Sequence, residues 1–142
     1  MVNRFSILNL ANEDSINMLL TDLSKQGYKI IEIDGKDIFD SKAFFNKVKD
    51  ILPFDPPISG KVNWDAFSDS LWEGLCNMGN RKVSIVWTKV DNMLKYGLLD
   101  LMKSVQCLTD VATSLYNDTD EVERVSLILF LIGKGSNFPL YK

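Results

Sequence analysis

The amino-acid sequence predicts a small α/β domain in which helices pack on a three-stranded parallel sheet. Short strand-like runs alternate with longer segments of helical periodicity, and the last strand-like run contains no polar residue. Connections as long as these make parallel pairing the simplest arrangement. The length of 142 residues suits one domain with a single core.

The first predicted element is a leading helix over Asn12–Gln26, with Gly27 at a position typical of a helix end. The first strand is predicted to begin only at Tyr28. Residues 1–27 are therefore interpreted as an N-terminal helical extension packed on a domain of residues 28–142. The apolar positions at helical spacing are Ile16, Leu19, Leu20 and Leu23.

Three strands are predicted, at Tyr28–Ile33, Lys82–Trp87 and Leu127–Ile132. The third reads LILFLI, so both of its faces should be covered. Right-handed connections between sequential neighbours would place their helices on one side of the sheet. The leading helix is therefore expected to cover part of the other side.

The helices between these strands follow from apolar spacing and from turn residues. One is predicted from Ser41 to about Leu52, and a loop with three prolines then leads to Asn63, the expected N-cap of the next helix. A long helical region follows Asp91 and is expected to break or bend at Gly97.

Composition narrows the classes of function. A net charge of −3 and a pI near 4.9 argue against a protein that grips nucleic-acid phosphates, and favour a basic protein partner. The absence of histidine removes the commonest general base and the commonest metal ligand, which makes an enzyme less probable.

No cofactor, metal site or membrane segment is predicted. The two cysteines, Cys76 and Cys107, are about thirty residues apart and are interpreted as reduced thiols, which suggests a cytoplasmic protein. No signal peptide is apparent, and no apolar run is long enough to span a bilayer. The acidic stretch Asn117–Glu123 lacks the glycine of a calcium loop, and Gly133–Ser136 lacks the first glycine of a phosphate loop.

The stretch NWDAFSDSLW, Asn63–Trp72, is the most informative part of the chain. When its apolar stripe faces the core, Asp65, Asp69 and Glu73 form a ladder of carboxylates on the outer face. Such a ladder repels itself, so recognition of a partner is one explanation, with Trp72 as an aromatic contact. The alternatives are that Asp65 complements the helix dipole and that Trp72 borders the core.

The segment GKVNWDAFSDSLWEGL resembles the motif of the barstar family, intracellular inhibitors of a secreted bacterial ribonuclease. YKIIEIDG, KVSIVW and LILFLIG are similar to strands of that family, so the resemblance covers about residues 28–133. It implies a small parallel three-stranded sheet with helices. It also implies inhibition by a carboxylate that takes the place of an RNA phosphate among basic side chains.

Carried over residue by residue, the family's inhibitory aspartates fall on Asp65 and Asp69, and the second of these enters the enzyme's active site. Asn63 and Gly60 match the start of the motif, with one more residue between them than in the family. Further partner-binding residues are expected at Trp72 and Glu73, on the rim of the contact. Two positions also differ: Ser68 stands where the family has tryptophan, and Ser114 lies where the family has further acidic residues.

The sequence is thus interpreted as a bacterial immunity protein of toxin–antitoxin type that blocks a ribonuclease or another toxin, and a monomer is favoured. The alternative is a barstar-like interaction module or regulator whose partner is no nuclease. An enzyme that uses Asp65 and Asp69 as a carboxylate pair is the third class.

Overall fold

The computed structural model describes residues 5–141 and contains one four-stranded parallel sheet with helices on both faces. A short 3-10 turn, Glu13–Ser15, joins the first strand to the first helix. The other elements are β1 (Leu8–Asn12), α1 (Ile16–Lys25), β2 (Lys29–Asp34), α2 (Ser41–Val48), α3 (Trp64–Asn77), β3 (Lys82–Thr88), α4 (Asp91–Tyr96), α5 (Leu98–Asp118) and β4 (Ser126–Gly133).

The strand order is β1-β4-β3-β2, so β4 lies inside the sheet. Its side chains alternate between two cores, as expected for a strand covered on both faces. Those on one face pack with α2, α3, α4 and α5, and those on the other pack with α1. The first set is Leu127, Leu129 and Leu131, and the second is Ile128, Phe130 and Ile132.

The direction in which the chain crosses the sheet explains the two helical layers. From β2 through β3 to β4 it moves one strand at a time in one direction, and from β1 to β2 it crosses the whole sheet in the other. Right-handed connections in opposite directions place their helices on opposite faces. Leu19 and Leu23 of α1, both fully buried, accordingly pack on Val86 and Phe130.

The predicted three-stranded sheet is wrong, because β1 adds a fourth strand. It pairs with β4 in parallel, with Leu8 opposite Leu129 and Asn12 opposite Gly133. The segment LNLAN is short, and its leucines lie half exposed instead of marking a buried face. Its pairing partner lies about 120 residues away in the sequence, so no local sequence pattern predicts the strand.

The other elements lie close to their predicted positions. The three predicted strands agree with β2, β3 and β4 to within one residue at each end. The leading helix begins later than predicted, at Ile16, and α2 ends earlier, at Val48. The break at Gly97 is confirmed, and a Cβ atom there would lie only 2.1 Å from the carbonyl oxygen of Phe39.

Within residues 5–141, no helix is both long enough and apolar enough to cross a bilayer.

Candidate functional site

The start of α3 is held by its N-cap. The side-chain oxygen of Asn63 accepts a hydrogen bond from the backbone N–H of Ala66 at 3.0 Å, which confirms the predicted cap. Such a bond satisfies one of the four N–H groups that a helix leaves free at its start. The cap therefore fixes the start of the helix two residues before Asp65, the first carboxylate of the acidic face.

The loop before α3 runs back along this helix and is bonded to it. The backbone N–H of Asp55 donates to the carbonyl oxygen of Ser70 at 3.0 Å, and the Asn77 amide donates to the Asp55 carboxylate at 2.8 Å. The approach is close because Gly74 has no side chain: a Cβ atom there would lie 1.3 Å from the carbonyl oxygen of Pro53. The loop thus fixes the rotation of α3 about its axis.

The apolar stripe of α3 determines which residues face the solvent. Phe67, Leu71 and Leu75 are completely buried, as the spacing predicted. The opposite face therefore points outward, and Asp65, Asp69 and Glu73 are all exposed. The three carboxylates follow one another at four-residue intervals, so they lie above one another along the helix.

Between the core and the acidic face, α3 meets α5. Ser68 and Trp72 are half-buried and lie on this side of the helix. An open groove of about 480 Å³ separates the two helices here. It is lined by Ser68, Asp69, Trp72, Glu73, Asp110, Val111 and Ser114.

Trp72 borders the core and also lines the groove, and its role as a contact for a partner stays a prediction. Its side chain packs against the large hydrophobic core. Its indole N–H nitrogen is buried and has no hydrogen-bond partner among residues 5–141. A buried donor without an acceptor costs free energy, and this nitrogen could reach a partner only if the side chain or its neighbours moved.

Asp110 is a site residue that the sequence analysis missed. It lies on α5, one turn before Ser114, and its exposed carboxylate faces the groove from the side opposite Asp69. The spacing of the buried residues along α5 could have identified it. Asp110 lies between the buried pairs Cys107–Leu108 and Val111–Ala112, so it falls outside the apolar stripe of this helix. The resemblance to the family directed attention to Ser114, which lies where the family has further acidic residues, and not to Asp110.

The negative charge of the site affects the pKa of Cys107, which lies on α5. Burial raises the pKa of the Cys107 thiol, and the carboxylates of Asp110 and Asp65 raise it further, while a hydrogen bond with Ser68 and the charge of Lys103 oppose them. The thiol thus lies within reach of carboxylates on both helices. Cys107 and Cys76 are both free thiols.

The carboxylates of the site are not neutralised within the chain. Ion pairs among residues 5–141 join Asp34 to Lys89 and Glu13 to Lys134, and neither pair belongs to the groove. The described part of the chain supplies no hydrogen bond or ion pair to the four carboxylates on α3 and α5. These four are Asp65, Asp69, Glu73 and Asp110.

The structure brings most of the predicted site residues together. Asp69, Trp72 and Glu73 line one groove, and Asp65 lies one turn earlier on the same face. Gly60 is set apart, since it is half-buried in the loop against Asn46 of α2. No group of three or more potential metal ligands occurs within residues 5–141.

Comparison with known proteins identifies the family of this chain. A family model described as "Barstar (barnase inhibitor)" matches residues 28–131, which include β2, β3, α3, α5 and most of β4. No curated protein matches the chain at a significant level. The family match covers well over half of the 142 residues and confirms the predicted family: this chain belongs to the barstar family.

Proposed function

We propose that this protein is an intracellular inhibitor of a ribonuclease or another toxin enzyme, and that it protects the cell that produces the toxin. Membership of a family described as barnase inhibitors supports an inhibitory role. The observation that carries the proposal is a groove lined by unpaired carboxylates on two helices, with a half-buried tryptophan on its wall.

The proposed mechanism is occupation of a basic active site by the acidic face of α3. Asp69 enters the site and accepts charge-assisted hydrogen bonds from arginine or lysine side chains that otherwise hold an RNA phosphate. Asp65 and Glu73 contact the rim, and Asp110 closes the groove from α5. Trp72 supplies apolar contact area on the wall of the groove.

Asn63 and Gly60 have supporting roles in this proposal. Asn63 lies at the exposed start of α3, where its side chain caps the helix and its backbone borders the contact. Gly60 shapes the loop that leads to it, because a Cβ atom there would lie 2.2 Å from the side-chain oxygen of Asn46. Neither residue lines the groove itself.

The remaining features of the proposal concern the whole chain. Residues 28–142 are the barstar-like domain and residues 1–27 an extension of it, whose described part adds β1 to the sheet and α1 to one face; the family match supports a boundary at residue 28, where it begins. The partner is a basic protein, and the location is cytoplasmic. The protein needs no cofactor and catalyses no reaction, in keeping with a family of inhibitors.

Calorimetric titration tests the proposal. The titrants are a panel of secreted microbial ribonucleases and the product of any neighbouring toxin-like gene, with RNA cleavage followed in parallel. Tight binding that abolishes cleavage is expected. Replacement of Asp69 by Ala should weaken binding about 10- to 100-fold, the effect of losing a hydrogen bond to a charged group.

The matched control is Asp50→Ala, which removes the same charge from an exposed position outside the groove. It should leave binding almost unchanged. Binding without inhibition would indicate the alternative, a barstar-like regulator or scaffold. Turnover of a substrate that disappears in Asp69→Asn while partner binding persists would indicate an enzyme.

A further inference from the structure

The strand β1 forms one edge of the sheet, and its backbone groups alternate between the two sides of the strand. The backbone N–H of Leu129 donates to the carbonyl oxygen of Ile7 at 2.7 Å, so the odd-numbered residues of this segment bond to β4. The N–H and C=O groups of Leu8 and Leu10 therefore point away from the sheet.

Along β1, only the outward backbone groups of Leu8 and Leu10 lack a hydrogen-bond partner within residues 5–141. At the end of the strand, the N–H of Asn12 donates to the carbonyl oxygen of Pro139 at 2.9 Å. Pro139 has no N–H group of its own, so it closes the edge at this point.

The side chains of this edge are apolar and exposed. Leu8 and Leu10 are 40% and 46% exposed, although they point to the same face as the buried Leu129 and Leu131 with which they are paired. The helix α5 covers that face over β4 but leaves it open over β1. The segment LNLAN carries no charge and no proline, the usual means of protecting an edge strand.

We propose that β1 pairs in antiparallel fashion with β1 of a second copy of this chain, about a two-fold axis at Asn9. In this register Leu8 lies opposite the partner's Leu10, and Leu10 lies opposite the partner's Leu8. Both pairs are hydrogen-bonded pairs, so all four outward groups on each strand gain a partner. The four leucines meet on one face, and the two Asn9 residues meet on the other.

The length and composition of the edge favour a second copy of this chain over a strand of a different protein. Pro139 occupies the edge next to Asn12, so a pairing strand cannot extend past Leu10. If the second strand were shifted along β1 by one hydrogen-bonded pair, it would either collide with Pro139 or leave two of the outward backbone groups without a partner. Self-pairing places leucine opposite leucine and brings no charge opposite a like charge. A contact this small is expected to give a weak dimer that depends on concentration.

This inference is independent of the proposed inhibitor function. The acidic groove lies between α3 and α5, and none of its lining residues belongs to β1. The dimer would therefore leave both grooves free. If both proposals hold, one dimer presents two target sites.

Sedimentation velocity from micromolar to millimolar concentration tests the dimer. The wild-type protein should change from monomer to dimer over this range. Leu10→Lys should weaken the dimer at least about tenfold, because it places two positive charges at the contact between strands. The control is Leu99→Lys on α5, at the most exposed large apolar residue among residues 5–141, and this variant should dimerise like the wild type.

A cross-link tests the register and does not depend on the lysine variant. Opposed residues in a non-hydrogen-bonded pair have Cα atoms about 4.5 Å apart, which is within the range of a disulfide. Asn9→Cys should therefore form a disulfide-linked dimer under mild oxidation. Leu10→Cys, whose partner lies on the diagonal, should cross-link much more slowly, and wild type controls for Cys76 and Cys107.

Three results would overturn the proposal. The first is a wild-type protein that stays monomeric at every concentration. The second is a dimer that Leu99→Lys abolishes and Leu10→Lys spares, since this would place the contact on α5. The third is cross-linking of Leu10→Cys as fast as that of Asn9→Cys, which would exclude the register. Circular dichroism checks that each variant is folded.

Discussion

The carboxylate of Asp34, at the carboxyl end of β2, is held in its charged form by its neighbours. The backbone N–H of Lys36 donates to it at 3.0 Å, and the Lys89 ammonium lies 3.5 Å from the same oxygen. Both interactions lower the pKa of Asp34 below its ordinary value. The charged form therefore stabilises the folded state, and the effect is modest because the pair is about half exposed.

This predicts a pH dependence of stability with a definite sign. The contribution of Asp34 is fully present above the ordinary carboxyl pKa and is lost as the pH falls through the lowered pKa. Urea denaturation between neutral pH and pH ~3 should show a smaller loss of stability for Asp34→Asn than for wild type, with a difference below about 1 kcal/mol.

Lys89→Met provides the comparison, because it removes the ammonium and keeps the hydrogen bond from Lys36. It should abolish only part of the pH dependence that Asp34→Asn abolishes. Identical acid profiles for wild type and Asp34→Asn would contradict this account of the carboxylate.

At the scale of single residues, the sequence predicted the orientation of the acidic face and missed one of its members. The exposure of Asp65 and Asp69 followed from the buried stripe on the same helix, because both lie within one periodic segment. Asp110 approaches the groove from a different helix. Its place depends on how α3 and α5 pack, and a contact between distant segments leaves no local pattern.

At the scale of elements, helices and strands were predicted correctly where the residues that determine them lie within one segment of the sequence. The helix α3 has a capping asparagine at its start and an apolar stripe along its length, and both were found as expected. The strand β1 has no such signal, because its place is decided by the open edge of β4. The polar Asn9 points toward the α1 face while Leu8 lies exposed, which inverts the usual pattern.

The packing of the proline-rich loop against α3 predicts the effect of one added methyl group. The Cβ atom of Gly74→Ala would lie 1.3 Å from the carbonyl oxygen of Pro53, so the loop or the helix must move. Chemical denaturation should show a loss of roughly 1–3 kcal/mol, the usual cost of overfilling a packed core. The displacement should also weaken target binding, because Asp69 and Glu73 lie on the same helix.

Gly79→Ala is the matched control. Gly79 has a positive φ of 83° and open space around its Cβ position, so only backbone strain of about 1 kcal/mol is expected there. A Gly74→Ala protein that is no less stable than Gly79→Ala would contradict this account, because it would show that the loop moves away from the new methyl group with no loss of stability.

At the scale of the whole molecule, the negative charge predicts how fast a basic target binds. The net charge is −3, and the groove concentrates carboxylates that have no ion-pair partners among the described residues. Attraction of this kind speeds encounter and is screened by salt, with a Debye length of about 10 Å at 0.1 M and about 3 Å at 1 M.

Stopped-flow association with the target, once it is identified, should become slower by roughly tenfold or more from low to high salt. The dissociation rate should change much less, because contacts in a closed interface are screened less. An association rate that is insensitive to salt would contradict the steering role of the acidic face, even if Asp69 proved essential for binding.

The position of β4 between β1 and β3 has a consequence for protein synthesis. Both neighbours of β4 precede it in the chain, and Leu8 must meet Leu129. On the ribosome, β1 must therefore wait, with its apolar residues unpaired, until residues 126–133 have left the exit tunnel, and β3 has only β2 to pair with until then. When β4 enters between β1 and β3 it joins both of them to one sheet, so β1 gains its place in the sheet only after β2 and β3 can already have paired.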